Sequence, residues 1–235
     1  MLSIVTPVRN GGKFIRKNIE EIQKLNIPIE HIISDGGSKD DTLKIVSEYP
    51  HLKLVHQSVE KGMYGGINEG FAVAQGKYFS YVNCDDLIEV SGFTKMYNKI
   101  SSGDLDLVYS NSIQNYVNEG RKEFIRGARF ARYFLKKGVM PFVQPSSIFS
   151  RRIFEKLEGF NSQKFRIIGD MDFFRRIATT PGTKIARVND TSSVFLKYGE
   201  SLGDLNNDLY YEELKQIDYK LDIKTKILFK IAKLT

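Results

Sequence analysis

The sequence predicts an α/β fold with a mainly parallel sheet and helices on both faces. Short β-type runs alternate with helical patterns from the first residues to about residue 100, the signature of β-α-β units. The distinctive polar residues follow the strands, where ligands bind in open parallel sheets. The single cysteine, Cys84, excludes an intramolecular disulfide framework.

The elements follow in order. Leu2 to Thr6 is a strand ended by Pro7, and Asn10-Gly11-Gly12 is a turn. Ile15, Ile19 and Ile22 recur at helical spacing up to about Leu25. Ile29 to Ser34 is the second strand, ended by Asp35-Gly36-Gly37. Ser38 is expected to cap the next helix, with Asp41 completing a capping box and Leu43 and Val46 facing inward. Leu52 to His56 is the third strand, Tyr64 to Ala74 a helix stopped near Gly76, and Lys77 to Asn83 the fourth strand. After residue 100 the alternation breaks down. Leu105 to Ser110, Phe124 to Ile125, Ser146 to Ser150, Lys184 to Val188 and Ser193 to Lys197 read as strands. Phe130 to Lys137 and Ile167 to Ala178 read as helical. The expected organisation is one catalytic domain over residues 1–200, with halves 1–100 and 101–200, and a helical tail over 201–235.

Composition narrows the partners. With 41% apolar residues among 235 the chain can build a full core. No stretch approaches the roughly 20 apolar residues of a membrane span. The first residues lack the basic and apolar regions of a signal peptide. One cysteine suits a reducing compartment, so the cytoplasm is the expected location. The net charge of +7 calls for an anionic partner. Arg121, Lys122, Arg126, Arg129, Arg132, Lys136 and Lys137 form one basic cluster, and Lys224, Lys226, Lys230 and Lys233 another. A solvated basic face explains either equally well. No nucleic-acid-binding motif is present, so nucleic acid is not expected.

Three loops converge on one rim: Thr6-Pro7-Val8-Arg9, Asp35-Gly36-Gly37 and Asn83-Cys84-Asp85-Asp86. Adjacent carboxylates after a buried strand repel each other unless a cation or donors compensate. A hard divalent ion shared with substrate phosphates is one answer, and acids capping a helix near Ser91 another. Asp35 suits a base or ribose contact, or simply a turn before two glycines. Arg9 suits a phosphate or base, or solvent. Asp170 opens a helical run as a cap or as a general base. Asp172 lies two residues on, and physical reasoning alone does not choose between them. Histidine and cysteine spacing fits no zinc site. The phosphate-loop, dinucleotide-binding and nucleophile-elbow motifs are absent.

Taken together, these segments resemble family 2 glycosyltransferases of the GT-A fold, inverting enzymes that build bacterial surface polysaccharides. Ser3 to Asn10 is similar to the opening strand and nucleotide loop. Ile33 to Thr42 resembles the base-binding motif, Glu60 to Gly70 the following helix, and Gly76 to Asp86 the strand leading to the metal motif. Val143 to Ser147, Gly159 to Asn161 and Ile168 to Asp172 resemble the acceptor half. The likeness spans roughly residues 1 to 200 and implies a Rossmann-like sheet with a mixed acceptor-side half. It implies that Asp35, Thr6, Pro7, Arg9 and Asp85 contact the nucleotide-sugar, a UDP-sugar. It further implies that Asp86 binds Mn2+ or Mg2+ and that Asp170 is the catalytic base. Glu60 and Gly65 stand where the family often has Asp, and Val143 where a His often precedes the position of Gln144. The Q-x-x-R-W signature of processive enzymes is absent, since the chain has no tryptophan. Transfer of one hexosyl or N-acetylhexosaminyl unit to a saccharide hydroxyl is the expected reaction.

In the tail, Ile227, Leu228, Ile231 and Leu234 share one helical face, with Lys226, Lys230 and Lys233 near the other. That pattern fits an amphipathic helix on an anionic inner leaflet, serving a lipid-linked acceptor, or a helix packed on the domain. The competing readings are a sugar nucleotidyltransferase and a non-catalytic basic module for membrane or nucleic acid.

Overall fold

A computed structural model describes residues 1–59, 62–198, 206–217, 219 and 221–234. The first half is a run of right-sized units: β1 (Leu2–Val8), α1 (Ile15–Gln23), β2 (Ile29–Asp35), α2 (Thr42–Ser47), β3 (Lys53–His56), α3 (Gly62–Ala72) and β4 (Tyr78–Tyr81). Next come β5 (Leu87–Ile88), α4 (Val90–Ser102), β6 (Leu107–Tyr116), β7 (Arg121–Ile125), α5 (Ala131–Lys136), β8 (Ser147–Ser150), α6 (Arg151–Lys156), α7 (Gly169–Thr179) and β9 (Ile185–Lys197). The tail holds α8 (Asn207–Leu214) and α9 (Ile223–Leu234). Among the described residues, no helix is long and apolar enough to cross a membrane.

The strand order is β3-β2-β1-β4-β8-β6-β9-β5, with β7 paired to β6. The β3-β2-β1-β4 block is wholly parallel. Beyond it, β4–β8, β8–β6 and β9–β5 are antiparallel and β6–β9 is parallel. This is the expected combination of a parallel first block and a mixed second one. Register brings Val8 beside Asp35 and Asp35 beside His56, so the parallel strands end on one rim.

Alternation along the strands sends side chains to both faces. Val5, Phe79 and Phe149 pack with Phe71 of α3 and with Phe173 and Phe174 of α7. Leu2, Ile4 and Val108 pack on the other side with Ile22 of α1 and with Phe93, Met96 and Ile100 of α4. Each such side chain, once buried, contributes about 1.5–3 kcal/mol. The rings of Phe71 and Phe79 stack at 4.4 Å. Gly70 permits this approach: a Cβ there would stand 2.7 Å from Val5 Cγ1.

Several local expectations change. Ser38 does not cap α2; its hydroxyl accepts Asn10 N–H at 2.9 Å across the rim. The helix starts later, at Thr42, whose N–H meets Asp40 Oδ1 at 3.1 Å. The two strands expected over 184–188 and 193–197 are one, β9, because the polar residues between them pair with β6 through a bulge. Asn111 sits at that bulge, donating to Asn189 O and accepting Gly127 N–H at 3.0 Å. α4 and α6 complete the second half, α6 capped by Ser150 Oγ accepting Ile153 N–H at 3.2 Å. Glu60 lies outside the described residues.

Candidate active site

The first loop is built by side chains that hold backbone. Asn10 takes φ 56°, a left-handed conformation that Asn tolerates. Its Oδ1 accepts Lys39 N–H at 2.8 Å, Gly11 N–H meets Thr42 Oγ1 at 2.9 Å, and Gly12 N–H meets Asp40 Oδ2 at 2.9 Å. The segments after β1 and β2 therefore form one fixed surface. Asp35 is buried beneath it and accepts N–H groups of Gly37 at 3.0 Å and Ser38 at 3.2 Å. His56 Nδ1 lies 3.7 Å from Asp35 Oδ2. Thr6 points inward, its hydroxyl 2.9 Å from His31 Nε2 and 3.2 Å from Asn18 Oδ1. Burial holds His31 at about 3, so the ring is neutral. Thr6 thus shapes the loop from below, Pro7 is half-buried, and Arg9 is exposed.

Asn83-Cys84-Asp85-Asp86 forms a turn closed by Asp86 N–H to Asn83 O at 3.0 Å. Asn18 of α1 holds it from behind, its Nδ2 3.0 Å from both Asn83 O and Asp86 O. The Asp86 side chain is 0% exposed. Among the described residues, its oxygens accept only long bonds, from Leu196 N–H and Asn83 Nδ2, each 3.3 Å. Burial, and then the charge of Asp85, raise Asp86 well above the usual carboxylate range. Asp85 is half-buried and raised by burial. The ion pairs of the described residues include neither acid. Burial, with Asp85 and Asp86, pushes the Cys84 thiol up to about 12, so it is unreactive. Asn83 Oδ1 is buried with no partner among the described residues. Among the described residues no group of three or more His, Cys, Asp or Glu could hold a metal. A hard divalent cation that took one carboxylate from the protein and its other ligands from phosphate oxygens would find that carboxylate in the partly open Asp85.

Asp170 enters from the second half, in the first turn of α7. Its Oδ1 accepts Met171 N–H at 2.8 Å and stands 3.1 Å from the Tyr64 hydroxyl, which is also 2.9 Å from Ile167 O. Among the described residues, Oδ2 has no hydrogen-bond partner. Burial raises Asp170 above the ordinary 3.8. Gly169 allows this closeness, since a Cβ there would lie 2.6 Å from the Tyr64 ring. Asp172 is spent elsewhere: its Oδ2 accepts Asn161 Nδ2 at 2.7 Å and Arg176 Nε at 2.8 Å. The structure thus separates two acids that sequence reasoning left equal. Tyr81, at the end of β4, links the halves. Its ionisation is suppressed by burial and then by Asp170, Tyr64 and Asp86. Gln144 Nε2 donates to Tyr81 O at 2.9 Å.

Sequence reasoning missed Asn18, Tyr64 and Tyr81. Asn18 carried a signal, as the one polar residue on the inward stripe Ile15, Asn18, Ile19, Ile22. Tyr64 and Tyr81 read as ordinary core aromatics. The basic cluster over 121–137 does not form a single patch: Arg121 pairs with Glu119 and Glu123, Arg126 reaches Leu234 O, and Arg132 reaches Ala178 O.

Comparison with known proteins gives the arrangement a family. A sequence model of the family described as Glycosyl transferase family 2 matches residues 3–158. Glycosyltransferase GlyG of Streptococcus pneumoniae is 24% identical over 229 residues, covering 89% of this chain and 75% of its own length. The structure of S. aureus TarS 1-349 in complex with UDP-GlcNAc superposes with a TM-score of 0.69 at 18% identity, covering 96% of this chain and 69% of TarS 1-349. The Mycobacterium tuberculosis glucosyl-3-phosphoglycerate synthase, in complex with Mn2+, UDP and phosphoglyceric acid, gives 0.64 at 18% identity, covering 94% and 80%. The chain belongs to glycosyl transferase family 2 and is a glycosyltransferase of the GT-A fold.

Proposed function

We propose that the enzyme transfers one sugar from a nucleoside-diphosphate sugar, a UDP-sugar, to a hydroxyl of a saccharide acceptor, with inversion in a single displacement. The observation that carries this reading is that acids from both halves bear on the buried Tyr81 at the end of β4. On one side lies the Asp85-Asp86 turn, without cationic partners among the described residues. On the other is Asp170, raised by burial, with no hydrogen-bond partner on Oδ2 among the described residues. Asp170 Oδ2 takes the proton of the acceptor hydroxyl as its oxygen bonds to the anomeric carbon, while the bond to the donor's diphosphate oxygen breaks. The leaving nucleoside diphosphate keeps that electron pair. Arg9, Pro7 and the turn built on Asp35 receive the nucleotide, and Thr6 supports them from below.

Burial favours Asp85 over Asp86 as the cation-facing carboxylate, the reverse of the expectation from sequence. Asp86 is enclosed and receives two N–H donors, whereas Asp85 is partly open. A divalent cation, Mn2+ or Mg2+, held by Asp85 with donor phosphates would offset charge on the leaving diphosphate. A thermal-shift screen of UDP-, GDP-, CDP- and dTDP-sugars with Mn2+ tests the donor. Uridine nucleotides are expected to raise Tm selectively, by about 3–8 °C at saturating concentration. Selective stabilisation by another base sinks the uridine assignment, and no response to any sugar nucleotide sinks the reaction.

The tail supports an acceptor carried on lipid at the cytoplasmic face of a membrane, in surface polysaccharide synthesis. α9 packs on the domain through Thr225, Phe229 and Ala232, with Phe229 4.9 Å from Phe134. Its opposite face presents Ile223, Ile227, Ile231 and Leu234 to solvent, flanked by exposed Lys224, Lys226 and Lys230. Lysines without an acid disfavour self-association of this face and favour an anionic surface. In the full chain, Ile227→Glu with Ile231→Glu is expected to lower co-sedimentation with phosphatidylserine vesicles at least about tenfold. Undiminished binding rejects this role.

A further inference from the structure

The helix α8 lies outside the stretch matched by the family, yet it is built into the segment that carries Asp170. Leu214 and Ile217 pack against Phe165, Ile168 and Met171. Glu213 is 2% exposed. Its Oε1 accepts Arg166 N–H at 2.7 Å, and its Oε2 accepts Ile167 and Ile168 N–H, each at 3.0 Å. Three consecutive amides just ahead of α7 thus share one carboxylate. α7 lacks a cap of its own, because Ile168 at that position offers no side-chain acceptor. A buried carboxylate from the tail takes the N–H of Ile168, one of the helix's first unpaired donors, and complements the positive end of the helix.

The consequence reaches the base in two short steps. Ile167, whose N–H is held by Glu213, accepts at its carbonyl the approach of the Tyr64 hydroxyl. That hydroxyl stands 3.1 Å from Asp170 Oδ1. Tyr210 lies on the same face of α8 as Glu213, three residues earlier, and burial, Tyr219 and Asp170 all raise it. Tyr210 also packs against the cluster of Phe165, Ile168 and Met171, so the helix braces the backbone that carries the base. We infer that Glu213 is a positioning residue for the reaction: its carboxylate fixes Arg166–Ile168 and so sets Asp170 and the Tyr64 hydroxyl in the geometry that receives the acceptor proton. This rests on Asp170 being the base.

The test uses the full chain with Glu213→Gln, near in shape but with an amide N–H where an acceptor stood. At least one of the three backbone donors then loses its partner. Because only the base side is displaced, kcat is expected to fall about 10- to 50-fold, with donor Kd changed less than about threefold. The acid limb of the kcat–pH profile should also shift. Leu214→Ala loosens the same packing but keeps the carboxylate, and is expected to lower Tm with at most about a threefold loss of kcat. In an Asp170→Asn background, Glu213→Gln should change residual turnover less than about twofold, since its effect acts through the base. A kcat and pH profile equal to wild type in Glu213→Gln, or equal kcat losses in Glu213→Gln and Leu214→Ala, overturns the proposal. Full turnover in Asp170→Asn alone instead overturns the base assignment.

Discussion

Replacing Asp170 by asparagine is expected to lower kcat by about three orders of magnitude while leaving donor affinity within about twofold. The substitution keeps the shape and an Oδ1 that can still accept Met171 N–H and meet the Tyr64 hydroxyl. What disappears is the oxygen able to take a proton. Steady-state kinetics with calorimetric donor binding separates the two effects, and near-normal turnover would sink the base assignment. Wild-type pH dependence should agree. Burial raises Asp170 from 3.8, so its unprotonated fraction falls as pH drops through that raised value. The acid limb of kcat should therefore lie above the ordinary carboxylate range and vanish in the variant. Asp172→Asn tests the alternative and should cost mainly stability, because that acid is already paired with Arg176.

The second large effect distinguishes the adjacent acids. Asp85→Asn is expected to lower kcat about 100- to 1000-fold and to abolish the Mn2+-dependent part of donor binding, read by calorimetry with and without the ion. Asp86→Asn should instead raise Tm at pH 7.5, by roughly 3–6 °C for about 1–2 kcal/mol. The sign follows from linkage. The folded-state value for Asp86 lies above its unfolded value. The folded state then holds a proton that the unfolded state releases, so stability falls as pH rises through that interval. An amide escapes this cost, and its advantage should fade as pH falls towards the ordinary carboxylate value. If Asp86→Asn, and not Asp85→Asn, removes the ion's effect on donor binding, the assignment read from sequence stands.

Local sequence was sufficient for the parallel half because the forces that form it are local. Strand and helix periods, and glycine or proline stops, mark units that pair with near neighbours in sequence. The placement of Asp35 and the Asp85-Asp86 turn at strand ends follows from that alternation. Asn18 was missed, although a polar residue on the apolar stripe of α1 was a signal for it. The second half was less so. β9 looked like two strands because the polar residues Asn189 to Ser192 part its apolar runs, and only β6, more than 70 residues earlier, absorbs those residues through its bulge.

By itself the sequence determined the strand and helix order of the nucleotide half, its ligand rim and the family resemblance. The tertiary structure alone decided which acid of each pair is free. Asp172 is spent on Arg176, and Asp86 is buried beside Leu196, while among the described residues Asp170 keeps an unclaimed oxygen and Asp85 stays partly open. It alone also revealed that Glu213 of the tail braces the segment before Asp170. The physical reason is the same throughout: a carboxylate's role is set by its burial and its hydrogen-bond partners, and here those partners lie far away in the chain.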